Sequence, residues 1–187
     1  FRAAGGDLVE DAPVLHINAA AGPCIVVSAS QGRWSAARCM VAAGSHSGEL
    51  CAATGLRAVK GQMLLLQAEP GELDRIVLGQ GRYLIPRADG RVVAGSTVED
   101  VFVDDAPTAA ARADILHSVA RLRPGLERRP VLAHWAGLRP MMADGLPHLD
   151  WQGPERRVYL HSGHYRLGLS LAPASAIAAA DAIVASL

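Results

Sequence analysis

Residues 82–95 have the sequence RYLIPRADGRVVAG, and this stretch decides what kind of sheet the middle of the chain forms. Two runs of strand-forming residues, 82–86 and 91–95, flank Asp89-Gly90, a dipeptide typical of a tight hairpin turn. Another apolar run, Met63 to Leu66, precedes them. Closely spaced hairpins predict an antiparallel sheet, in which 63–66 and 91–95 share one sheet.

The chain downstream of this sheet is expected to be mixed. Pro107 predicts the start of a helix that extends to Leu122, with Ile115 and Val119 on its apolar stripe, and Pro124-Gly125 should end it. Strand signals return at 131–135 and 158–161. The alanine-rich stretch from Pro173 to Leu187 predicts a last helix.

Upstream, residues 13–17 and 24–29 predict short strands, and Gln31-Gly32 predicts a hairpin turn. Residues 39–43 are apolar throughout, which predicts a strand buried on both faces, as in a parallel sheet, ending at Gly44. The order is α/β, then antiparallel α+β, then α/β. We therefore expect an antiparallel-sheet domain at 55–134, inserted into a doubly wound α/β domain formed by 1–54 and 135–187.

Composition excludes several classes of function. Half of the 187 residues are hydrophobic, and 18 basic residues balance 18 acidic ones, so neither disorder nor nucleic-acid binding is expected. No apolar run reaches the roughly 20 residues of a membrane span, and no signal segment opens the chain. Cys24, Cys39 and Cys51 lack metal-ligand spacing, so we expect free buried thiols in a reducing compartment and a cytoplasmic protein.

Three motifs fail as catalytic or ligand signatures. The segment 44–48, GSHSG, has His46 where a nucleophile elbow needs serine, and no P-loop lysine follows. The glycines of Gly79-Gln80-Gly81 lack the third glycine of a dinucleotide fingerprint, so we expect a loop. His161 and His164 lack further ligands at zinc spacing, so no metal is expected.

Arg139 lies in WAGLRP (135–140), an apolar, glycine-containing segment. A buried arginine requires an anionic partner or several acceptors. Two interpretations are open from the residues alone: a structural salt bridge, or a bidentate clamp for a ligand carboxylate. Tyr83 fits ordinary sheet packing, and the loop 163–168, GHYRLG, fits either a surface loop or a backbone that passes close to a flat ligand.

Taken in order, the segments resemble the C-terminal half of the glycine oxidase / D-amino-acid oxidase family of FAD-dependent oxidoreductases. The matching segments are 13–16 (PVLH), 41–44 (VAAG), 60–62 (KGQ), 83–87 (YLIPR), 90–97 (GRVVAGST), 135–140 (WAGLRP), 144–147 (DGLP), 163–168 (GHYRLG) and 171–174 (LAPA). The resemblance spans nearly the whole chain and rests on their order rather than on any single motif.

The resemblance implies an antiparallel-sheet substrate domain paired with an FAD-binding domain that is Rossmann-like, of the glutathione-reductase type. It implies hydride transfer from the substrate Cα to flavin N5, with no catalytic acid or base in this chain. Arg139 would clamp the substrate carboxylate, Tyr83 would hydrogen-bond it, and Arg166 would lie at the same site.

The resemblance also assigns residues to FAD. Val14 would meet the adenine, Ala43 and Gly44 would lie near the adenosine and diphosphate, and the isoalloxazine would be bordered by Gly137, Gly163, His164 and Gly168. Binding would be non-covalent, because Met141-Met142 stand where some relatives carry a flavin-linking cysteine. The Gly-x-Gly-x-x-Gly turn that holds the pyrophosphate is absent. The chain begins at Phe1, so we expect that turn in an upstream half that FAD binding requires.

The expected substrate is a small amino acid or amine: glycine, sarcosine or a D-amino acid. The alternative is a truncated, non-catalytic remnant or interaction module that binds no FAD. Neither nucleic acid nor a membrane is an expected partner. The sequence leaves the oligomeric state open, a homo-oligomer included.

Overall fold

The computed structural model describes residues 2–19, 22–28, 32–52, 55–100 and 104–187. The chain divides into two compact units, which are described separately below. The sheet unit is Ala58–Arg139, and the split unit combines Phe1–Arg57 with Pro140–Leu187. The assignment of the sheet unit to substrate and of the split unit to FAD is a proposal.

Strands and helices follow one another along the chain as mixed α/β structure. The strands are β1 (Val14–Asn18), β2 (Cys24–Ser28), β3 (Gly32–Ala36), β4 (Cys39–Val41), β5 (Arg57–Gln67), β6 (Val77–Gly79), β7 (Arg82–Pro86), β8 (Arg91–Gly95), β9 (Val131–Met141), β10 (His148–Gln152) and β11 (Val158–Ser162). The helices are α1 (Ser47–Leu50), α2 (Ala109–Leu122) and α3 (Gly168–Val184), with short 3-10 turns at Arg2–Ala4, Gly44–His46 and Leu126–Arg128.

The sheet unit contains five strands in the order β6-β7-β8-β5-β9. β5 pairs antiparallel with β8, Met63 opposite Gly95 and Leu66 opposite Val92, so the prediction that 63–66 and 91–95 share one sheet is confirmed. Tyr83 of β7 also lies opposite Gly95, in an antiparallel pair. The predicted loop at 79–81 is instead the end of strand β6, which pairs antiparallel with β7, followed by a tight turn at Gln80-Gly81. Both turn residues have positive φ.

One face of this sheet is covered by α2, and that interface forms the core of the unit. The buried residues of the cluster are Leu64, Leu66, Ala68, Leu84, Val92, Ala94, Ile115, Val119 and Leu126. Ile115 and Val119 are the predicted stripe, one helical turn apart. Since side chains alternate along a strand, Leu64 and Leu66 facing α2 place Gly61, Met63 and Leu65 on the opposite face.

The predicted helix starts were wrong at both helices. Thr108, not Pro107, caps α2: its Oγ1 accepts a hydrogen bond from the Ala111 amide at 3.2 Å, as an N-cap hydroxyl does. The last helix begins at Gly168, and Pro173 lies inside it. Proline there removes only the amide bond to the carbonyl of Leu169, a residue that is 94% exposed.

The split unit contains two three-stranded sheets, β1-β2-β3 and β10-β11-β4. β11 pairs antiparallel with β10 and parallel with β4, Leu160 opposite Val41. α3 packs against β10 and β11. Cys24, Val41, Val158 and Leu160 are the buried residues of this core.

Two details of the N-terminal predictions differ. The strand predicted at 39–43 is parallel but short, and it is not buried on both faces, since Met40 is 48% exposed. β2 and β3 pair antiparallel, while Ala29 and Gln31 of the predicted strand end and turn lie outside the described residues.

The three cysteines are free, with Cys24 buried but Cys39 and Cys51 only half-buried. Across the described residues, no helix combines the length and the apolar character that crossing a bilayer would require.

Candidate functional site

The guanidinium of Arg139, near the end of β9, lies against the backbone of β5 at Gly61. A Cβ built on Gly61 would stand 2.0 Å from Nη1, 2.1 Å from Nη2 and 2.3 Å from Cζ of Arg139. The same guanidinium donates from Nη2 to Ser96 Oγ at 2.8 Å and from Nη1 to the Thr97 carbonyl at 3.4 Å. Arg139 is therefore fixed on the sheet face opposite α2, where the Gly61 side of β5 points.

The partners of Arg139 are neutral, although it carries a full positive charge. Two other partly buried arginines of the sheet unit have acidic partners: Arg82 pairs with Asp114, and Arg129 with Glu72 at 2.9 Å. Within the described ranges, no carboxylate forms an ion pair with Arg139, which is half-buried. A partly desolvated cation held by two neutral oxygens keeps donors free for an external anion, and a carboxylate matches its planar fork.

Tyr83 lies on the same sheet face as Arg139. Its hydroxyl donates to Met63 Sδ at 3.8 Å, and Met63 shares the Gly61 face of β5. That bond to a thioether is weak, and the hydroxyl has no other hydrogen bond in the part of the chain that the structure describes. The fold thus brings together the two residues that the sequence assigned to a substrate carboxylate.

A buried polar cluster behind the Ser96-Thr97 backbone was missed by sequence reasoning. Gln62, fully buried, donates from its side chain to both carboxylate oxygens of Glu99, at 3.0 and 3.1 Å, and its backbone amide donates to Thr97 Oγ1 at 2.8 Å. Its Oε1 accepts from the Thr108 amide at 2.8 Å, and Thr97 Oγ1 donates to Glu99. The signal was present in the Lys60-Gly61-Gln62 segment, where polar residues interrupt an otherwise apolar strand.

In the split unit, a cavity of about 330 Å³ borders β4, and its lining is mainly apolar. Val14 of β1 and Ala43, just beyond β4, both line it. Two of the three residues predicted to meet the adenosine and diphosphate of FAD therefore share one cavity, while the third, Gly44, lines another.

A second cavity, of about 240 Å³, lies between the end of β4, the start of α3 and the loop after β11. Gly44, His164 and Gly168 line it, and Gly44 has φ +58°, a conformation that favours glycine. Two backbone contacts hold the loop after β11 in place. The Tyr165 amide donates to the Pro140 carbonyl at 2.7 Å, and His164 forms an isolated antiparallel β-bridge with Met141.

Two imidazoles border this second cavity. The ring centroids of His161 and His164 are 4.8 Å apart, and the Nε2 atom of each is buried without a hydrogen-bond partner in the described residues. Burial, with the neighbouring His161 as a lesser cause, lowers the pKa of His164 below its usual 6.5. The cavity therefore has two imidazole nitrogens on its border that could bond to the polar edge of a ligand, and His164 is the one whose neutral form is favoured.

The three other predicted site residues, Gly163, Gly137 and Arg166, lie in different surroundings. Gly163 is buried with φ +83°, and a Cβ there would stand 2.5 Å from Met142 Cγ, so only glycine fits. Gly137 belongs to the sheet unit, where it is exposed and has open space beside it. Arg166 of the split unit is exposed and makes neither a hydrogen bond nor an ion pair with the described residues, and its assignment to the substrate site stays a prediction.

Comparison with known proteins identifies the class. The family model described as "FAD dependent oxidoreductase" matches residues 1–182. The chain is 42% identical to glycine oxidase of Pseudomonas aeruginosa over 159 residues, which is 83% of this chain and 44% of that protein. It is 33% identical to glycine oxidase of Bacillus licheniformis over 187 residues, 98% of this chain and 50% of the relative.

Solved structures agree with this assignment. Glycine oxidase of Geobacillus kaustophilus superposes with a TM-score of 0.90 at 28% identity, covering 97% of this chain and 50% of that one. The L-proline dehydrogenase of P. horikoshii shares the fold, with a TM-score of 0.86 at 19% identity. The chain therefore belongs to the FAD-dependent oxidoreductase family whose members include the glycine oxidases, and it spans about half the length of the curated relatives that it matches.

The split unit fits the cofactor of this family. An apolar cavity suits an adenosine moiety, and the orphaned Nε2 atoms suit the polar edge of a flavin. Position 163, between two residues that line the second cavity, has no room for a side chain, because a Cβ there would stand 2.5 Å from Met142 Cγ.

Proposed function

We propose that the chain supplies the carboxylate-binding residues and part of the flavin-binding surface of an FAD-dependent amine or amino-acid oxidase. In this proposal the sheet unit binds substrate through Arg139 and Tyr83, and Arg166 contributes to the same step. The split unit borders the cofactor through Val14, Ala43, Gly44, Gly163, His164 and Gly168, and Gly137 of the sheet unit also borders it.

The observation that carries the proposal is the Arg139 guanidinium held by two neutral oxygens. A structural salt bridge would have given it an acid, as Arg82 and Arg129 have in the same unit. The free donors of Arg139 and the weakly bonded hydroxyl of Tyr83 stand on one sheet face, a combination suited to fixing one end of a small carboxylate.

FAD, when bound, would supply a hydride acceptor for the substrate Cα. The part of this chain in that reaction is orientation: Arg139 and Tyr83 fix the carboxylate, which leaves the Cα–H in one defined direction. No acidic or basic side chain needs to act on the substrate, because hydride transfer requires placement more than proton transfer.

Small amino acids are the proposed substrates, since a clamp for a carboxylate distinguishes them from simple amines. The curated relatives quoted above are named glycine oxidases. We propose glycine, sarcosine and small D-amino acids as the substrate class.

The test is anaerobic reduction of the flavin in the flavin-loaded protein that contains this chain. Glycine, sarcosine or D-alanine should bleach the yellow flavin absorbance without oxygen, and methylamine at equal concentration should bleach it far more slowly. If the protein retains flavin and none of the three amino acids bleaches it, the proposal is wrong. A preparation that takes up no FAD would favour the non-catalytic alternative.

A further inference from the structure

Gly61 leaves a space in β5 that the guanidinium of Arg139 fills. Three atoms of that group lie within 2.3 Å of where a Cβ on Gly61 would stand, a separation that real Cβ atoms do not show. Any other residue at position 61 would therefore overlap Arg139 as it now lies.

Backbone conformation does not require glycine at this position. Gly61 lies in the middle of an 11-residue strand, and its φ is not positive. Alanine could therefore adopt the same φ and ψ, and in a strand it is less costly than glycine. What glycine provides at position 61 is space.

The backbone on both sides of Gly61 is held in place. Lys60 and Glu99 exchange two backbone hydrogen bonds of 2.9 Å, and the Thr97 amide donates to the Gln62 carbonyl at 3.2 Å. The Lys60 side chain is almost fully buried and its Nζ donates to Asp104 at 2.8 Å, while Gln62 is anchored to Glu99 and Thr108.

A collision at position 61 would therefore move the arginine rather than the strand. Arg139 is long and flexible, and its overlapping atoms are at the far end of the side chain. Moving the guanidinium by the depth of one methyl group would break its bond to Ser96 Oγ at 2.8 Å and redirect its free donors.

We propose that Gly61 is a positioning residue for the carboxylate clamp: its missing side chain sets the position of the Arg139 guanidinium, and Ser96 sets its rotation. This inference rests on the proposed function of Arg139. It adds a residue that touches neither substrate nor cofactor and acts only through the arginine.

The test is a double-mutant cycle on the flavin-loaded protein that contains this chain. Acetate, a carboxylate that cannot be oxidised in the proposed reaction, is titrated, and its affinity is taken from the change in flavin absorbance. The variants are Gly61→Ala, Arg139→Ala and the double variant. The matched control is Gly79→Ala in β6, where the added Cβ would meet only a side-chain methyl of Leu122, at 2.7 Å.

We expect Gly61→Ala to weaken acetate binding roughly 10- to 100-fold, the scale of an ångström-sized misplacement, with little change in melting temperature. Gly79→Ala should bind acetate as the parent does. The double variant should bind acetate no more weakly than Arg139→Ala alone, because Gly61 acts through Arg139.

Parent-like acetate affinity in Gly61→Ala, while Arg139→Ala loses it, would overturn the inference and leave the proposed function standing. Parent-like affinity in Arg139→Ala would overturn both. If Gly61→Ala fails to fold, a folded double variant supports the inference, since removing the guanidinium removes the collision. An unfolded double variant overturns it, since the space would then serve something other than Arg139.

Discussion

The guanidinium of Arg139 lies directly over the backbone of Gly61, with Nη1 and Nη2 2.0 and 2.1 Å from where a Cβ would be. Neutral oxygens of Ser96 and Thr97 hold it there. Arg139 is therefore a cation fixed in position that forms no ion pair with a carboxylate among the described residues.

Replacing Tyr83 with phenylalanine should weaken carboxylate binding without destabilising the fold. The lost hydroxyl donates only to Met63 Sδ at 3.8 Å among the described residues, so its removal leaves no buried group unsatisfied. Loss of one hydrogen bond to a charged carboxylate, about 1.5–3 kcal/mol, should raise KM for glycine roughly 10- to 100-fold. Steady-state kinetics measures KM for glycine, and melting curves on the same preparation measure the stability of the fold. A fall in melting temperature with unchanged KM would instead indicate a packing role.

The pKa of His164 should lie below 6.5, and its neutral form should prevail in the folded protein at neutral pH. Because folding favours the neutral imidazole, its contribution to stability is complete above about pH 6.5, where the unfolded state titrates, and is lost as pH falls from there through the lower pKa of the folded state. Imidazole NMR titration measures this pKa directly. His161→Ala should raise the His164 pKa only part of the way, since burial is the larger cause and persists.

Two results would contradict this account of the second cavity. One is a His164 midpoint at or above 6.5 in the parent protein. The other is a midpoint in His161→Ala that lies below the parent value, since removing a neighbouring positive charge cannot lower it.

The Cys39 thiol should be slow to alkylate. Burial, followed by the neighbouring Cys24 and Cys51, raises the pKa of Cys39 from 9.0 to about 11. At pH 8 this lowers its reactive thiolate population about a hundredfold. Iodoacetamide labelling followed by peptide mass analysis should show Cys39 nearly unmodified in native protein and fully modified in urea. Labelling of native Cys39 as fast as a denatured cysteine would show that the thiol is accessible and ionised.

The sequence predicted the sheet well because its signals are local. Asp89-Gly90 and the two runs beside it specify a hairpin by themselves, and the structure has strands with the predicted bounds. The helix starts were harder, because prolines mark both candidate starts, whereas Thr108 provides the real cap and Pro173 lies within a helix. Proline limits where a helix can run but does not by itself fix where it begins.

The candidate site was predictable in part. Residue type raised a carboxylate clamp for Arg139 only, the resemblance added Tyr83, and the structure places both on one sheet face. The roles of Gly61, Ser96 and Gln62 were not visible, because each depends on a contact between residues 30 or more positions apart in sequence. The sequence alone does not show whether a glycine in a strand provides backbone flexibility or space for a neighbouring side chain.

The most direct test of the central claim, that Arg139 binds the substrate carboxylate, is steady-state kinetics of Arg139→Ala and Arg139→Lys in flavin-loaded protein normalised to flavin content. Loss of a charge-assisted pair, about 1.5–3 kcal/mol or more, predicts a fall in kcat/KM of at least roughly 10- to 100-fold for Arg139→Ala, with flavin content and melting temperature preserved. Arg139→Lys should retain more kcat/KM than Arg139→Ala but less than the parent, because lysine keeps the charge but lacks the planar fork of arginine. Unchanged kcat/KM for glycine, sarcosine and D-alanine in Arg139→Ala would contradict the account.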